Sequence, residues 1–315
     1  MATQWLRRAV LLAASASALL LAACGGGSIE SQFSPDRVIA FGDATADAGQ
    51  TGSRYTVNDG SPIWTQIVAR EFGRDLQPVA AGGQSYATGN ARVAVKPDAA
   101  GNPATPTVTE QIDTFLATHS LTSNDLVLVS AGTSDVIAQA QAFLTGAQTE
   151  ATMQANLDTA AVAMSDQVRR LLSAGVTHVG VVGTTNLGRS PWALEINQGG
   201  VLESASRRFN QKLLVSLVDL GATVLYMDAE FQFNLYTSDP GTYGLDNVKV
   251  PVCTSIDPGP GIGTGNGEEN SRLCTPATVR AADYSRFLFS DRVYATPRGH
   301  QLFGDYAKSR LRDRW

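Results

Sequence analysis

The stretch that decides the fold is Arg37-Val-Ile-Ala-Phe-Gly-Asp-Ala-Thr-Ala-Asp-Ala-Gly49. Its apolar run, Val38 to Phe41, stops at Gly42-Asp43, and small residues follow as far as Gly49. A short apolar run that ends in Gly-Asp is typical of a buried strand entering a tight turn. Open α/β sheets place their ligands at the carboxyl ends of such strands. The stretch therefore predicts a buried strand with a functional turn at its end.

Further apolar runs alternate with helical patterns along the rest of the chain. Strands are predicted at 38–41, 77–81, 126–130, 176–182 and 223–227. Helices are predicted at 62–72, 109–117, 136–174 with a possible break at Gly146, 202–220, 229–236 and 297–314. This alternation predicts βαβ units and a parallel sheet. We therefore expect one domain over residues 37–315, an α/β/α three-layer sandwich with a flavodoxin-like, five-stranded parallel sheet.

The amino-terminal residues have the pattern of an export signal. Arg7 and Arg8 precede an apolar run from Ala9 to Ala23, which predicts a signal peptide over residues 1–23. A transmembrane helix is the alternative, but the run is short for a span. Leu21-Ala-Ala-Cys24 resembles a bacterial lipobox. That resemblance implies cleavage before Cys24, a lipid anchor on this residue and residence in the bacterial cell envelope, in the outer membrane by analogy. Residues 24–36 would form a flexible linker.

Charge and cysteine content narrow the classes of partner. The chain carries 24 basic and 29 acidic residues, a net charge of −5. Removing the predicted signal, with its two arginines, leaves 22 basic against 29 acidic residues, dispersed without a basic patch. A nucleic-acid partner is therefore not expected. Export permits disulfides, so Cys253 and Cys274, which flank a Gly/Pro-rich loop, are predicted to pair; two buried free thiols are the alternative.

Five blocks along the chain resemble those of the GDSL-type (SGNH) ester hydrolases. The first is Phe41-Gly-Asp-Ala-Thr-Ala-Asp-Ala-Gly49, and the next is the glycine-bearing loop 82–93. Gly132-Thr-Ser-Asp135, Asn186-Leu-Gly-Arg-Ser-Pro191 and Phe289-Ser-Asp-Arg-Val-Tyr-Ala-Thr-Pro-Arg-Gly-His300 follow in the family's order. The resemblance implies the SGNH-hydrolase fold and an exported bacterial esterase or lipase. In such enzymes a serine attacks the ester, a histidine takes its proton and an aspartate orients the histidine.

The resemblance also shows that the catalytic residue types are replaced. Ala44 stands at the nucleophile position and Tyr294 at the histidine position. The oxyanion glycine falls on Asn90, or on Gly89 if the loop slips by one residue, and the oxyanion asparagine becomes Ser134. A methyl group cannot attack a carbonyl, and a phenol is a poor base at neutral pH. The resemblance therefore implies a pseudoenzyme of this family.

An active esterase with a relocated catalytic set remains the alternative. It would use His300 as a displaced base with Asp291, and a hydroxyl from Thr45, Ser85 or Ser134. His119 and His178 are expected to be structural. No cofactor or metal is predicted, although Asp43, Asp47, Asp135 and Asp291 could in principle converge. The expected partners are an acyl-ester or glycan ligand in a cleft lined by Asp43, Ala44, Asn90, Ser134 and Tyr294, and the membrane through Cys24.

Overall fold

The computed structural model describes residues 33–315, which form an α/β domain around a parallel sheet. The predicted signal peptide, Cys24 and most of the predicted linker lie outside the described residues. The sheet contains β1 (Arg37–Gly42), β2 (Asp125–Ser130), β3 (His178–Val182) and β4 (Val224–Tyr226), in that spatial order. Phe41 pairs with Val129 and Gly42 with Ser130, so the first strand and its turn lie beside the end of β2.

Helices cover both faces of the sheet, as the period-two alternation of its strands requires. Ile39 and Phe41 of β1 face the core side formed by α2 (Val108–Thr118), α3 (Thr133–Leu144), α4 (Glu150–Ser173) and α6 (Gly199–Leu217). Val38 and Ala40 face the side formed by α1 (Trp64–Glu71), α7 (Ala229–Ser238) and α8 (Pro297–Arg314). A short α5 (Pro191–Glu195) follows β3. The predicted three-layer architecture is confirmed.

Of the five predicted strands, the one at 77–81 is wrong. Val79–Ala81 is a single 3₁₀ turn, because Pro78 has no N–H to give a ladder and Gly82, at φ +80°, reverses the chain. Residues 84–86 instead lie along the edge of the sheet beside β1. Ala40 donates its N–H to the Gln84 carbonyl at 3.1 Å and accepts from the Tyr86 N–H at 2.7 Å. The sheet of the described chain therefore has four strands and an irregular edge beside β1.

The predicted helices are present, and the interruption near Gly146 separates α3 from α4. Thr107 caps α2 with a reciprocal hydrogen-bond pair to Glu110, the arrangement that fixes a helix start. The predicted loop 186–191 contains a 3₁₀ turn at Leu187–Arg189 and leads directly into α5. No helix within residues 33–315 combines the length and apolar character needed to cross a membrane.

The long segment between α7 and α8 is built around a disulfide. Cys253 and Cys274 are bonded, with their Cα atoms 5.8 Å apart. The enclosed loop holds a two-residue antiparallel pair, β5 (Ile256–Asp257) and β6 (Glu268–Glu269). The bond closes a loop with a sequence separation of 21 residues, which in the chain-entropy picture stabilises the fold by about 3 kcal/mol. The disulfide therefore constrains this loop, whose Ser271 N–H donates to Asp291 at 3.0 Å.

Candidate functional site

The turn after β1 requires glycine at its first position. Gly42 has φ +149°, and a Cβ there would lie 1.8 Å from the Ser130 carbonyl oxygen. Only glycine permits this approach. The turn therefore brings Asp43, Ala44 and Thr45 close to the end of β2.

Asp43 ties the turn to the start of α3. Its Oδ1 accepts hydrogen bonds from the Thr45 N–H at 3.0 Å and the Thr45 hydroxyl at 2.7 Å. Its Oδ2 accepts from the Thr133 N–H at 3.1 Å. Complete burial raises the pKa of Asp43 to about 6, against the lowering effect of these hydrogen bonds. The first carboxylate of the motif thus acts as a scaffold for the turn.

The nucleophile position lies inside the core. Ala44 is 2% exposed and belongs to the same apolar cluster as Tyr55 and Tyr294. Thr45, beside it, is half-buried, and its hydroxyl lies 2.7 Å from Asp43 Oδ1 and 3.0 Å from Ser130 Oγ. Ser85 is fully buried, and its hydroxyl has no partner among the described residues.

Where the family has its oxyanion asparagine and its catalytic histidine, this chain has Ser134 and Tyr294, whose hydroxyls are buried. Ser134 and Tyr294 are 0% and 2% exposed, and within residues 33–315 neither hydroxyl has a partner at hydrogen-bond geometry. The Tyr294 ring packs edge-on against Tyr55 with centroids 5.3 Å apart. Burial, and then the Asp43 charge, raise the pKa of Tyr294 well above its usual value; the nearby Ser134 hydroxyl acts in the opposite direction. A phenolate base is therefore strongly disfavoured here.

Both carboxylate oxygens of Asp291 accept hydrogen bonds from backbone N–H groups. Its Oδ1 accepts from the N–H groups of Val293 and Tyr294 at 2.8 and 2.7 Å, and its Oδ2 accepts from the Ser271 N–H at 3.0 Å. Burial nevertheless raises the pKa of Asp291. The residue shapes the last block and links it to the disulfide-closed loop.

His300 does not meet Asp291. Its Nδ1 accepts a long hydrogen bond from the Trp64 N–H at 3.4 Å. Burial, with the Arg54 charge as the second cause, lowers the pKa of His300 to about 3. The imidazole is thus neutral and a very weak base. Within the described chain no hydroxyl hydrogen-bonds to His300, so the structure does not assemble the relocated pair of His300 and Asp291.

A small cavity lies next to Thr45, Tyr294 and His300, and neither Ala44 nor Ser134 lines it. This cavity of about 40 Å³ lies at the strand ends, lined mainly by apolar groups together with Thr45, Tyr294 and His300. Small-molecule sites usually measure about 300–1,000 Å³, so this cavity holds a water molecule or two but no acyl chain. We call the region around Ala44, Ser134 and Tyr294 the closed centre.

The glycine-bearing loop is fixed by two further aspartates. Asp47 Oδ2 accepts the Gly89 N–H at 2.8 Å, so one of the two candidate oxyanion donors is already used. Asp135 Oδ2 accepts the Val93 N–H at 2.9 Å, and Oδ1 lies 3.4 Å from Arg92 Nε. Within residues 33–315 no group of three or more His, Cys, Asp or Glu side chains could hold a metal ion. Asp47 and Asp135 instead accept hydrogen bonds from the backbone of the glycine-bearing loop.

Asn90 lies apart from the other predicted site residues. It has φ +61°, is 7% exposed, and donates its Nδ2 to the Gly261 carbonyl at 2.9 Å. It lines a second space of about 300 Å³, which also includes Asp47, Tyr55 and Arg272. We call this space the polar cleft. The expectation of one cleft shared by Asp43, Ala44, Asn90, Ser134 and Tyr294 is therefore wrong. Asn90 lines the polar cleft and Tyr294 lines the smaller cavity, because the Tyr55 ring packs against Tyr294 between them.

Sequence reasoning missed most of the polar cleft. Its other walls come from the loop around Asp98 and from the disulfide-closed loop, at Asp257 and Asn270. One signal was available: the segment 238–286 is too long to be without a role in a compact domain. Nothing local to these residues predicts that they meet Asn90.

The architecture and the strand-end blocks define the class: a three-layer α/β protein with the residue blocks of an ester hydrolase at the carboxyl ends of its strands. The model of the family described as GDSL-like Lipase/Acylhydrolase matches residues 38–307. The chain belongs to this family.

Individual relatives are distant. The anther-specific proline-rich protein APG of Brassica napus is 26% identical over 199 residues, which are 59% of this chain and 41% of that protein. Lipase 1 of Photorhabdus luminescens is 29% identical over 174 residues, 52% of this chain and 25% of that protein. The matches span about half or less of these curated relatives. An inhibitor-bound aryl esterase from M. smegmatis aligns over 89% of this chain and 99% of its own, with 16% identity and a TM-score of 0.44.

Proposed function

We propose that this protein is a GDSL-family member that has lost ester hydrolysis at the family's catalytic position. It would work as a lipid-anchored, ligand-binding protein of the bacterial cell envelope, holding an acyl ester or a glycan without turnover. The observation that carries the proposal is the closed centre. The nucleophile position is the buried methyl group of Ala44, and the base position is the buried phenol of Tyr294.

Losing the nucleophile and the base lowers turnover by more than the remaining groups can restore. In a serine hydrolase, loss of the nucleophile or of the base alone lowers turnover by about 10⁶-fold, or about 8 kcal/mol of transition-state stabilisation. Ser134 and Asn90 leave at most a weakened oxyanion site, and one such donor contributes only about 3 to 4 kcal/mol. The remaining groups therefore cannot compensate for the missing pair.

The relocated catalytic set is the less favoured alternative. His300 accepts from a backbone N–H and has a pKa lowered to about 3. Asp291 accepts three backbone N–H groups. Neither residue has the partner that a catalytic role would require.

Two features support the envelope assignment. The basic, apolar and lipobox-like sequence up to Cys24 is the pattern of an exported lipoprotein. The bond between Cys253 and Cys274 suits an oxidising compartment.

Hydrolysis is tested on the full chain with p-nitrophenyl acetate and p-nitrophenyl butyrate, beside Thr45→Val and His300→Ala. We expect turnover equal to the buffer background for all three proteins, and no labelling by a fluorophosphonate probe. Turnover that either variant abolishes would overturn the proposal, and the labelled residue would identify the nucleophile.

Anchoring is tested by expressing the full chain in a bacterial host with an alkyne-bearing palmitate analogue. We expect labelled protein in the membrane fraction, and an unlabelled protein for Cys24→Ser. Equal labelling of both forms, or none of either, would contradict the lipid anchor and leave the hydrolysis test unaffected.

A further inference from the structure

The polar cleft has a volume and lining that distinguish it from the closed centre. It measures about 300 Å³, at the lower end of the range for small-molecule sites. Its floor consists of buried polar side chains, and its mouth is marked by the exposed Thr51, Asn102 and Pro260. The floor residues include Asp47, Tyr55, Asn90, Asp98 and Asn270.

Two polar groups of the floor have no partner within the described residues. Asn90 Oδ1 is buried and accepts no hydrogen bond. The Tyr55 hydroxyl also lines the cleft and makes no hydrogen bond to residues 33–315. Buried polar groups are nearly always paired, and leaving one unsatisfied is costly. A ligand that donates to Asn90 Oδ1 would remove this cost, and the same ligand can bond to the Tyr55 hydroxyl.

The other floor groups are held rigidly. Asp98 accepts the N–H groups of Ala100 and Asn102 at 2.9 and 2.8 Å and the Thr105 hydroxyl at 2.6 Å. Asp257 accepts the Gly259 N–H and the Asn270 amide at 2.9 and 2.8 Å. A carboxylate has about four acceptor positions, so each keeps capacity for a donor from a ligand. Fixed acceptors of this kind are pre-organised for binding.

The charges indicate which chemistry the cleft accepts. Asp47, Asp98 and Asp257 line it, and Arg272 is the one cationic residue among its lining groups. Arg272 already donates to the Thr51 hydroxyl at 3.0 Å. An anionic ligand would face more carboxylates than cations. A ligand rich in neutral hydroxyl groups can donate to the carboxylates and to Asn90, and can accept from Arg272.

We propose that the polar cleft binds a neutral carbohydrate of one or two sugar units through Tyr55, Asn90 and the surrounding aspartates. The inference rests on the proposed function, because it names the ligand class of a protein that binds without turnover. It places that ligand beside the closed centre, with Tyr55 between the two.

Ligand-observed NMR on the full chain tests the inference. The probes are glucose, N-acetylglucosamine and maltose, each beside an acidic counterpart, glucuronic acid or glucose 6-phosphate. We expect saturation transfer to at least one neutral sugar, and weaker transfer to the acidic ones. Transfer to none of the neutral sugars, or preference for the acidic sugars, would overturn the inference.

Two variants with matched controls locate the site. Tyr55→Phe and Asn90→Gly should each weaken sugar binding by about three- to tenfold, the effect of losing one hydrogen bond. Tyr243→Phe controls for the loss of a phenol outside the cleft. Asn197→Gly controls for the second change, since Asn197 at φ +54° is the other described non-glycine residue with positive φ. Equal effects of variants and controls would overturn the assignment.

The same samples separate the two proposals. Sugar binding together with ester turnover would contradict the proposed loss of hydrolysis and leave the carbohydrate site standing. Absence of both would overturn the carbohydrate site alone.

Discussion

The closed centre and the polar cleft lie on either side of Tyr55 and have opposite interiors. Beside Tyr294 of the first lies a cavity of about 40 Å³ bounded mainly by apolar groups, whereas the second measures about 300 Å³ and is bounded mainly by polar ones. Both include residues of the segment that follows β1. The comparison shows that buried side chains occupy the positions where the family resemblance places the nucleophile and the base, and that the larger polar space lies beside them. Five experiments test how far the two regions differ.

The largest expected change in stability comes from removing the Tyr294 ring from the closed centre. Tyr294→Ala removes a buried ring that packs on Tyr55, and we expect a loss of about 3–5 kcal/mol in the free energy of unfolding. Urea denaturation measures it. A loss below about 1 kcal/mol would mean that the centre is not a packed core.

Removing the disulfide should loosen the wall of the polar cleft. The double variant Cys253→Ser and Cys274→Ser is expected to lose about 3 kcal/mol of stability and to bind the neutral sugar more weakly. Thermal unfolding and the NMR titration measure the two effects. Unchanged sugar binding would contradict the assigned wall.

The closed centre should also confer a pH dependence. The pKa of Asp43 is raised from 3.8 to about 6, so its stabilising contribution is full below about pH 4 and is lost as the pH rises through 6. The change amounts to at most about 3 kcal/mol. Urea denaturation at intervals from pH 4 to 7 should give a less steep decline for Asp43→Asn than for the wild type. Identical slopes would show that Asp43 does not titrate in this range.

Restoring the nucleophile alone should not restore activity. Ala44→Ser places a hydroxyl in an apolar position, at an expected cost of about 1–3 kcal/mol. The histidine position holds the Tyr294 phenol, a poor base at neutral pH, so p-nitrophenyl acetate should not be turned over. Measurable turnover would show that a proton acceptor is available after all, with Tyr294→His as the natural next variant.

The smallest effect is expected for Tyr294→Phe. The hydroxyl has no partner at hydrogen-bond geometry within the described chain, so its removal should change stability by less than about 1 kcal/mol or raise it slightly. Paired with Tyr294→Ala, this variant separates the ring's packing from the hydroxyl's chemistry. A large loss would reveal a hydrogen bond to Ser134.

Much of the fold could be predicted from sequence because it depends on local patterns. The apolar run ending at Gly42 identified β1 and its turn, and Gly146 marked the end of α3. The strand predicted at 77–81 failed because Pro78 and Gly82 outweigh a short apolar run. The convergence of Asp43, Ser134 and Tyr294 followed from the family's blocks.

The polar cleft could not be predicted in the same way. Asn90 and Asp257 are far apart in the chain, and their segments meet where Asn90 Nδ2 donates to the Gly261 carbonyl. The filling of the closed centre was equally hidden, because it depends on the Tyr55 ring meeting Tyr294 across the fold. The alanine and the tyrosine were visible in the sequence, but their packing was not.

Tyr55 has a consequence for the engineering of this protein. Its ring packs against Tyr294, and its hydroxyl end lies so close to Gly89 that a Cβ there would approach to about 2.2 Å. One side chain thus belongs both to the packing around Tyr294 and to the lining of the polar cleft. A smaller residue at position 55 would therefore change both spaces at once, so neither can be redesigned through this position without the other.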